Sequence, residues 1–361
     1  MLKKIKLFDP SINSSENKII SKVLKSKFWA SGSGVGNVSK FETKMNEYLG
    51  SDECIAVNSG TAALNLALSL AEIKNKEVIL PSLSFVSTAH SIVVNGGKPI
   101  FVDIDPHTLC IDPKKIIKAI TKNTKLILPV HFAGMPCDMK EIKKICKKNN
   151  LLLMEDAAHA VGTLYKNKKI GKDGMAVCFS FHPAKNLAMP TGGLIALNHK
   201  QSKKFRKILD ARRWCGITNR VNSDYDVKEM GWNYYMNEFS AALGLVQLKK
   251  IDKMNTIRQK NAEKYYNGIN LKHKMPIKSG CSYHFYWIIV ENRNEFRRKM
   301  GEKGIETGTH YKPIHHMTMY KQKSTLSITD EISSKIVTLP THPNLKQNDV
   351  NFIIKCINSF S

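Results

Sequence analysis

Apolar and polar positions along this chain follow two periods, and the switches between them mark out its elements. Residues 11–27 carry Ile19, Ile20, Val23 and Leu24 at helical spacing, with Ser14 or Ser15 available to cap the first turn. A glycine-rich turn, Ser31-Gly-Ser-Gly-Val-Gly36, precedes a second amphipathic stretch from about 41 to 48. Between residue 53 and about 200, short apolar runs at 54–57, 77–80, 99–102, 126–130, 151–154, 176–179 and 194–197 read as buried strands. Helical stretches at 61–70, 87–95, 113–119 and 140–149 fall between them. Strands too apolar to alternate, separated by helices, predict an α/β fold with a mostly parallel sheet covered on both faces. Residues 238–265 predict one long helical stretch, and from about 280 the pattern turns to α+β. We expect a large domain over 1–245 and a smaller C-terminal α+β domain over 246–361, a division that suits a chain of 361 residues.

Charge changes this picture little. The excess of 56 Lys and Arg over 30 Asp and Glu leaves a formal charge of +26. The basic residues are spread through every segment instead of forming one stripe, so we expect no nucleic-acid partner; the excess suits an anionic small ligand. Eight cysteines include no pair at CxxC spacing and read as reduced thiols. The apolar runs are too short to cross a bilayer. The opening Met1-Leu-Lys-Lys-Ile-Lys-Leu-Phe is basic without the apolar core of a secretory signal. The expected location is therefore the cytoplasm, with no membrane partner, and no metal centre is expected.

Candidate chemistry collects at strand ends. Ser180-Phe-His-Pro-Ala-Lys185-Asn follows the 176–179 run and places a lysine among apolar and small residues. Burial there lowers an amine's pKa, as Schiff-base formation with an aldehyde requires; alone, Lys185 is more simply an exposed loop lysine in a lysine-rich chain. Glu155-Asp156-Ala-Ala-His159 ends the 151–154 run. A buried Asp156 there requires a cationic partner, such as a protonated ring nitrogen, unless it merely caps a helix. Asn58-Ser-Gly-Thr61 joins the first run to a helix, and its free amides make an anion site, or else an ordinary capped helix. Pro81-Ser-Leu-Ser-Phe85 brings an aromatic ring to the same edge. One ligand uses all four: its phosphate at Gly60, Thr61 and Ser180, its planar ring on Phe85, its ring nitrogen on Asp156, its aldehyde on Lys185.

These segments, with Val57-Asn-Ser-Gly-Thr-Ala-Ala-Leu64, Pro99-Ile-Phe-Val-Asp-Ile-Asp105, Gly192-Gly193, Gly231-Trp-Asn-Tyr-Tyr-Met236 and Ala241-Ala-Leu-Gly-Leu-Val-Gln-Leu248, closely resemble the DegT/StrS family of pyridoxal-phosphate (PLP) dependent nucleotide-sugar aminotransferases. The resemblance covers almost the whole chain. It implies the aspartate-aminotransferase-like fold (PLP fold type I). It implies that Lys185 holds the cofactor and shuttles a proton, that Asp156 pairs with the ring nitrogen, and that His159, where the family often has Gln, lies near the ring. Phe85 would cover the ring, and Gly60, Thr61 and Ser180 would bind phosphate. Asn233 matches an asparagine that reaches the phosphate from a neighbouring subunit, which implies a homodimer with shared active sites. Ser31, Tyr311 and His315 lie where the family lines its sugar pocket.

Two departures stand out. Met189-Pro-Thr-Gly-Gly193 replaces the common Thr-Gly-Glu-Gly-Gly, and Tyr235 stands where an arginine is frequent. The implied reaction moves an amino group from glutamate to a nucleotide-linked keto sugar, foremost an NDP-4-keto-6-deoxyhexose for surface polysaccharide or glycan synthesis. Alternatives are a 3-keto sugar, a non-sugar ketone, a dehydratase of the same family, which Lys185 argues against because histidine usually stands there, and a silent PLP-binding regulator.

Overall fold

The computed structural model describes residues 4–321 and 325–360. Seven strands form the main sheet: β1 (Glu53–Val57), β2 (Glu77–Pro81), β3 (Lys98–Val102), β4 (Thr124–Ile127), β5 (Leu152–Asp156), β6 (Ala176–Ser180) and β7 (Gly193–Leu197). Their spatial order is β1-β7-β6-β5-β4-β2-β3. β7 pairs antiparallel with both β1 and β6, and the remaining pairs are parallel. Six strands therefore end at one edge of the sheet, where β7 begins. The loops leaving that edge are where ligands meet such sheets.

Both faces of the sheet are covered, which is why its strands are apolar throughout. In β1, Ile55 and Val57 pack with the helix Gly60–Leu68 on one face, while Cys54 and Ala56 pack with Phe41 and Met45 of the helix Asn37–Leu49 on the other. A third cluster joins Ile79, Ile127 and Leu153 to the C-terminal part through Tyr265, Trp287, Val337 and Ile353. That part holds two antiparallel strands, Tyr286–Ile289 and Ile336–Leu339, flanked by the helices Ile251–Gly268, Arg293–Glu302 and Gln347–Phe360. The start of the chain packs there as well, with the Ile5 amide bonded to the Gly304 carbonyl at 2.8 Å. No helix among the described residues is long and apolar enough to cross a membrane.

Several boundaries differ from expectation, each for a physical reason. The first helix, Ser14–Ser26, is capped by Asn13 and not by a serine: Asn13 accepts from the Ser15 amide at 2.8 Å while Glu16 reaches back to the Asn13 amide at 2.9 Å. The second begins at Asn37, earlier than expected, because the distant Glu238 carboxylate accepts from the Asn37 and Val38 amides at 2.8 and 3.3 Å. β4 stops at Ile127, short of Val130, since Pro129 has no N–H for the ladder. The 238–265 stretch is two helices, Glu238–Leu248 and Ile251–Gly268. At the break between them, Gln247 (2.7 Å) and the Lys250 ammonium both bind the buried Glu16. A helix, Ser202–Arg212, and a hairpin, Ile217–Val221 with Asp224–Val227, occupy a region for which the sequence predicts no element.

That extra helix closes a buried ionic hub. Glu42, 4% exposed, accepts from Arg213 at 2.5 Å, from Arg206 at 2.6 Å and from the Ala56 amide at 2.8 Å. The helix Asn37–Leu49, the edge strand β1 and the helix Ser202–Arg212 thus meet at one carboxylate. Glu42→Ala leaves buried Arg213 short of a counter-charge and is expected to cost about 3–5 kcal/mol. Chemical denaturation checks this; an unchanged midpoint would show that the hub contributes nothing net.

Candidate active site

A cavity of about 480 Å³ opens at the sheet edge where the six strands end. From β1 the chain runs through Ser59, whose hydroxyl caps the helix Gly60–Leu68 by accepting from the Ala62 amide at 3.1 Å. Only glycine fits next: a Cβ on Gly60 would lie 2.7 Å from the Cβ of Ser180, and one on Gly193 would lie 2.2 Å from the Ser59 carbonyl oxygen. This close approach sets the positive end of the helix, Gly60 and Thr61, beside Ser180 in the cavity wall. The result is a cradle for an anion.

The loop after β2 contributes Ser84, Phe85 and Ser87. Phe85 is 56% exposed, unusual for phenylalanine, and its ring centroid lies 6.1 Å from that of Tyr311. Asp156 closes β5 from below. No helix follows it, so it is not a cap; its carboxylate accepts from the Thr88 hydroxyl at 2.8 Å and the Ala158 amide at 3.1 Å. Burial pushes the Asp156 carboxyl above its ordinary range, opposed by those two hydrogen bonds and by the charge of Lys185.

Lys185 rides on a loop that leaves β6 and returns to β7. Backbone bonds from Phe181 to Gly192 (2.9 Å) and from Met189 to Phe181 (2.8 Å) close its base. Neighbouring Asn186 anchors it by donating to Asn255 at 3.0 Å and to the Ser282 carbonyl at 2.9 Å. The lysine side chain keeps some exposure, yet the surrounding protein pushes its amine down to about 8, against the pull of Asp156. Thr191, from the departing Met189–Gly193 segment, donates to the Asn58 carbonyl and so ties this loop to the end of β1.

Four imidazoles line the wall, His182 on the loop after β6 and three more around Tyr311. His159 is 6% exposed and accepts from the Ala133 amide through Nδ1 at 3.3 Å, so its own proton sits on Nε2 and faces the Tyr311 hydroxyl at 3.0 Å. His284 lies over His159 with centroids 4.5 Å apart, and its Nδ1 donates to Asn186 at 3.2 Å because the Asn186 amide group is already spent as a donor. His310 stacks on Phe285 at 4.6 Å. Burial, then the nearby Lys185 charge, holds His310 down to about 4; burial likewise keeps His159 and His284 well below the usual histidine value. These three are neutral at pH 7, as is His182, which burial and then the Lys185 charge hold below the usual histidine value; this leaves Asp156 and Lys185 as the only charged groups among the residues lining the cavity.

Gly60, Thr61, Phe85, Asp156, His159, Ser180, Lys185 and Tyr311 thus meet around one space. Ser31, Asn233 and His315 do not line it. Ser31 makes a turn with Ser33 and Gly34. Asn233 is exposed, its carbonyl accepting from Asn58 at 3.1 Å. His315 is 3% exposed and lies 2.6 Å from Ser82 through Nδ1. Thr88, Thr191, His182, His284 and His310 were not singled out from the sequence. His182 and Thr191 sit inside the two loop segments already singled out, without a role read for them; Thr88 reaches Asp156 from the helix after β2, and His284 and His310 become wall residues only because the C-terminal part packs over the sheet edge.

The sequence profile of the DegT/DnrJ/EryC1/StrS aminotransferase family matches residues 10–358. The chain belongs to this family. As a DegT/DnrJ/EryC1/StrS member it is a PLP-dependent aminotransferase of fold type I. GDP-perosamine synthase of Escherichia coli O157:H7 is 33% identical to it over 367 residues, covering 99% of each chain. Among solved structures, Helicobacter pylori PseC, an aminotransferase of pseudoaminic acid biosynthesis, superimposes with a TM-score of 0.92 at 28% identity, covering 99% of each. The PLP form of the sugar aminotransferase Spr1654 of Streptococcus pneumoniae gives 0.91 at 26% identity, covering 99% of this chain and 98% of its own. The cavity fits the family's cofactor on independent grounds. It offers a buried carboxylate in need of a cation, a lysine amine held near neutrality, and a glycine cradle that any side chain would fill.

Because Lys185 titrates at about 8 in the cofactor-free protein, its reactive neutral form falls about tenfold for each pH unit below that value and saturates above it. The rate at which cofactor-free enzyme recombines with PLP should rise with pH and level off near 8, as stopped-flow absorbance will show. A rise that continues past 10 would place Lys185 in an ordinary solvent-like setting.

Proposed function

We propose that this enzyme moves an amino group from glutamate to a keto sugar carried on a nucleotide, and acts in the cytoplasm as a homodimer with shared active sites. The observation that carries the chemistry is the cavity's pair of charged groups, Lys185 and Asp156, set in a wall of neutral residues. The substrate class is supported by the relatives, one named for a GDP-linked product and one for pseudoaminic acid biosynthesis. We favour an NDP-4-keto-6-deoxyhexose as acceptor. A 3-keto sugar is the second reading.

The assigned roles follow the geometry. PLP, when bound, supplies an aldehyde and a ring that withdraws electrons from the carbon losing its proton. The Gly60 and Thr61 amides and the Ser180 hydroxyl hold the phosphate. Asp156, gripped by Thr88 and Ala158, keeps the ring nitrogen protonated by placing a buried negative charge against it. Phe85 covers the ring. Lys185, once free of the cofactor, takes a proton from the carbon that bears the donor's amine and returns one at the carbon that becomes aminated. Its amine suits both directions because a value of about 8 lies near working pH. His159 fixes the Tyr311 hydroxyl, leaving the phenol proton for an acceptor in the cavity, and we assign the sugar contact to Tyr311. Asn233 and Ser31, away from the cavity of their own protomer, are assigned to the partner's site or to the shared mouth. The presence of Lys185 argues against the dehydratase reading.

An absorption spectrum of purified enzyme before and after glutamate tests the first half-reaction. The expected result is a visible-edge cofactor band that collapses with glutamate and is restored by the correct nucleotide keto sugar. A band indifferent to glutamate would overturn the donor. Lys185→Ala should lose the band and lower kcat by at least about 10²–10⁴-fold; normal turnover would remove Lys185 from the mechanism. Mixing inactive Lys185→Ala and Asn233→Ala subunits should restore about a quarter of wild-type activity if sites are shared between protomers. No recovery after verified subunit exchange would confine each site to one chain.

A further inference from the structure

Outside the cavity, two adjacent histidines and an aspartate converge in a way the reaction does not use. The short turn Ile314–His316 carries both rings, and the helix Ser327–Lys335 carries Asp330. His315 Nε2 lies 3.0 Å and His316 Nε2 2.9 Å from the same carboxylate oxygen, Asp330 Oδ1. All three atoms lie within 4.8 Å of one another. A hydrogen-bonded cluster would direct ring N–H groups at that oxygen. Here His315 Nε2 and Asp330 Oδ1 are both buried and, among the described residues, have no hydrogen-bond partner. His315 itself is 3% exposed, so an imidazole nitrogen that faces a carboxylate oxygen without hydrogen-bond geometry is held in the interior.

We propose that His315, His316 and Asp330 form a binding site for a divalent transition-metal ion of the zinc class. Two imidazoles and a carboxylate are the donor set such an ion selects over calcium or magnesium. Donors about 2.0–2.2 Å from a tetrahedral zinc lie about 3.3–3.6 Å apart, so the two nitrogens, 3.0 and 2.9 Å from the oxygen, need to spread by only about 0.3–0.7 Å to take up the ion.

The atoms behind the donors are also arranged for ligation. Ser82 Oγ lies 2.6 Å from His315 Nδ1 and accepts from the His315 amide at 3.1 Å, so an Nδ1–H donated to Ser82 leaves the Nε2 lone pair directed at the ion. Asp330 Oδ2 accepts from the Leu326 amide at 3.2 Å, which leaves Oδ1 as the ligating oxygen. The His316 side chain, 46% exposed, gives the ion a route from solvent, and water fills the remaining positions. The ion ties the turn that follows Tyr311 to the helix Ser327–Lys335, and through Ser82 to the end of β2.

The test uses full-length, cofactor-loaded enzyme without a polyhistidine tag, stripped by chelator and titrated with Zn²⁺ by calorimetry while the cofactor band is monitored. We expect one ion per chain, no change in the cofactor band, and a visible d–d spectrum when Co²⁺ replaces Zn²⁺. His316→Ala, at a half-exposed position that folding does not require, should weaken binding by about 100-fold or more, and Ser82→Ala by about 10–100-fold. His316→Ala keeps the exposed Cys215 and the whole cavity, so uptake unaltered in this variant would place the ion elsewhere and overturn the proposal. Absence of stoichiometric binding to the wild type would overturn it as well, and would make the three side chains a plain ionic contact.

Discussion

A carboxylate and an amine share one cavity with little else to neutralise them, and the fold around this pair is arranged to keep both. Burial works against each charge, raising Asp156 and lowering Lys185, while each holds part of the other's charge in place. The four wall imidazoles are all held below their usual value by burial, so no cation among them competes with Lys185 for Asp156. A group kept from its preferred ionisation state is a cost to stability and a gain in reactivity, which is why such pairs collect at functional sites.

Holding that pair requires rigid support, and the support is the sheet edge. Asp156 ends the central strand β5, and Lys185 hangs from a loop pinned at its base by backbone bonds and at its tip by Asn186. Beside them the first helix turn after β1 reaches Ser180 only because two glycines remove the side chains that would hold β1, β6 and β7 apart. The single antiparallel strand, β7, matters here: it starts where its neighbours end, so its first glycine lies against Ser59 in the same wall. Behind the edge, Glu42 joins the second helix, β1 and the helix Ser202–Arg212 into one body.

The structure also separates residues that the family resemblance had grouped. Tyr311 faces the cavity and bonds His159, whereas His315, four positions on, turns away and is gripped by Ser82 next to Asp330. Pro313 precedes the short turn Ile314–His316 that carries His315, whereas Tyr311 lies before that turn. Residues close in sequence, both in a pocket-lining segment, thus end in different environments. A motif can bring a segment to a site without saying which of its side chains enter.

What the sequence determined by itself was whatever depends on neighbours along the chain. The seven strands are legible because burial on both faces demands continuous apolar runs. Gly60, Asp156 and Lys185 are legible because ligands meet such sheets where strands end. Local signals also gave the capping of the first helix, to within the choice between Asn13 and the serines beside it. Only the tertiary structure decided the rest. Glu238 starts the second helix from two hundred positions away, Gln247 and Lys250 meet Glu16 where the long helical stretch breaks, and His284 and His310 join the cavity wall from the C-terminal part. Each of these rests on a contact between segments distant along the chain. A hydrogen bond or a desolvated charge is set by what packs in space, and no local pattern of residues encodes that partner.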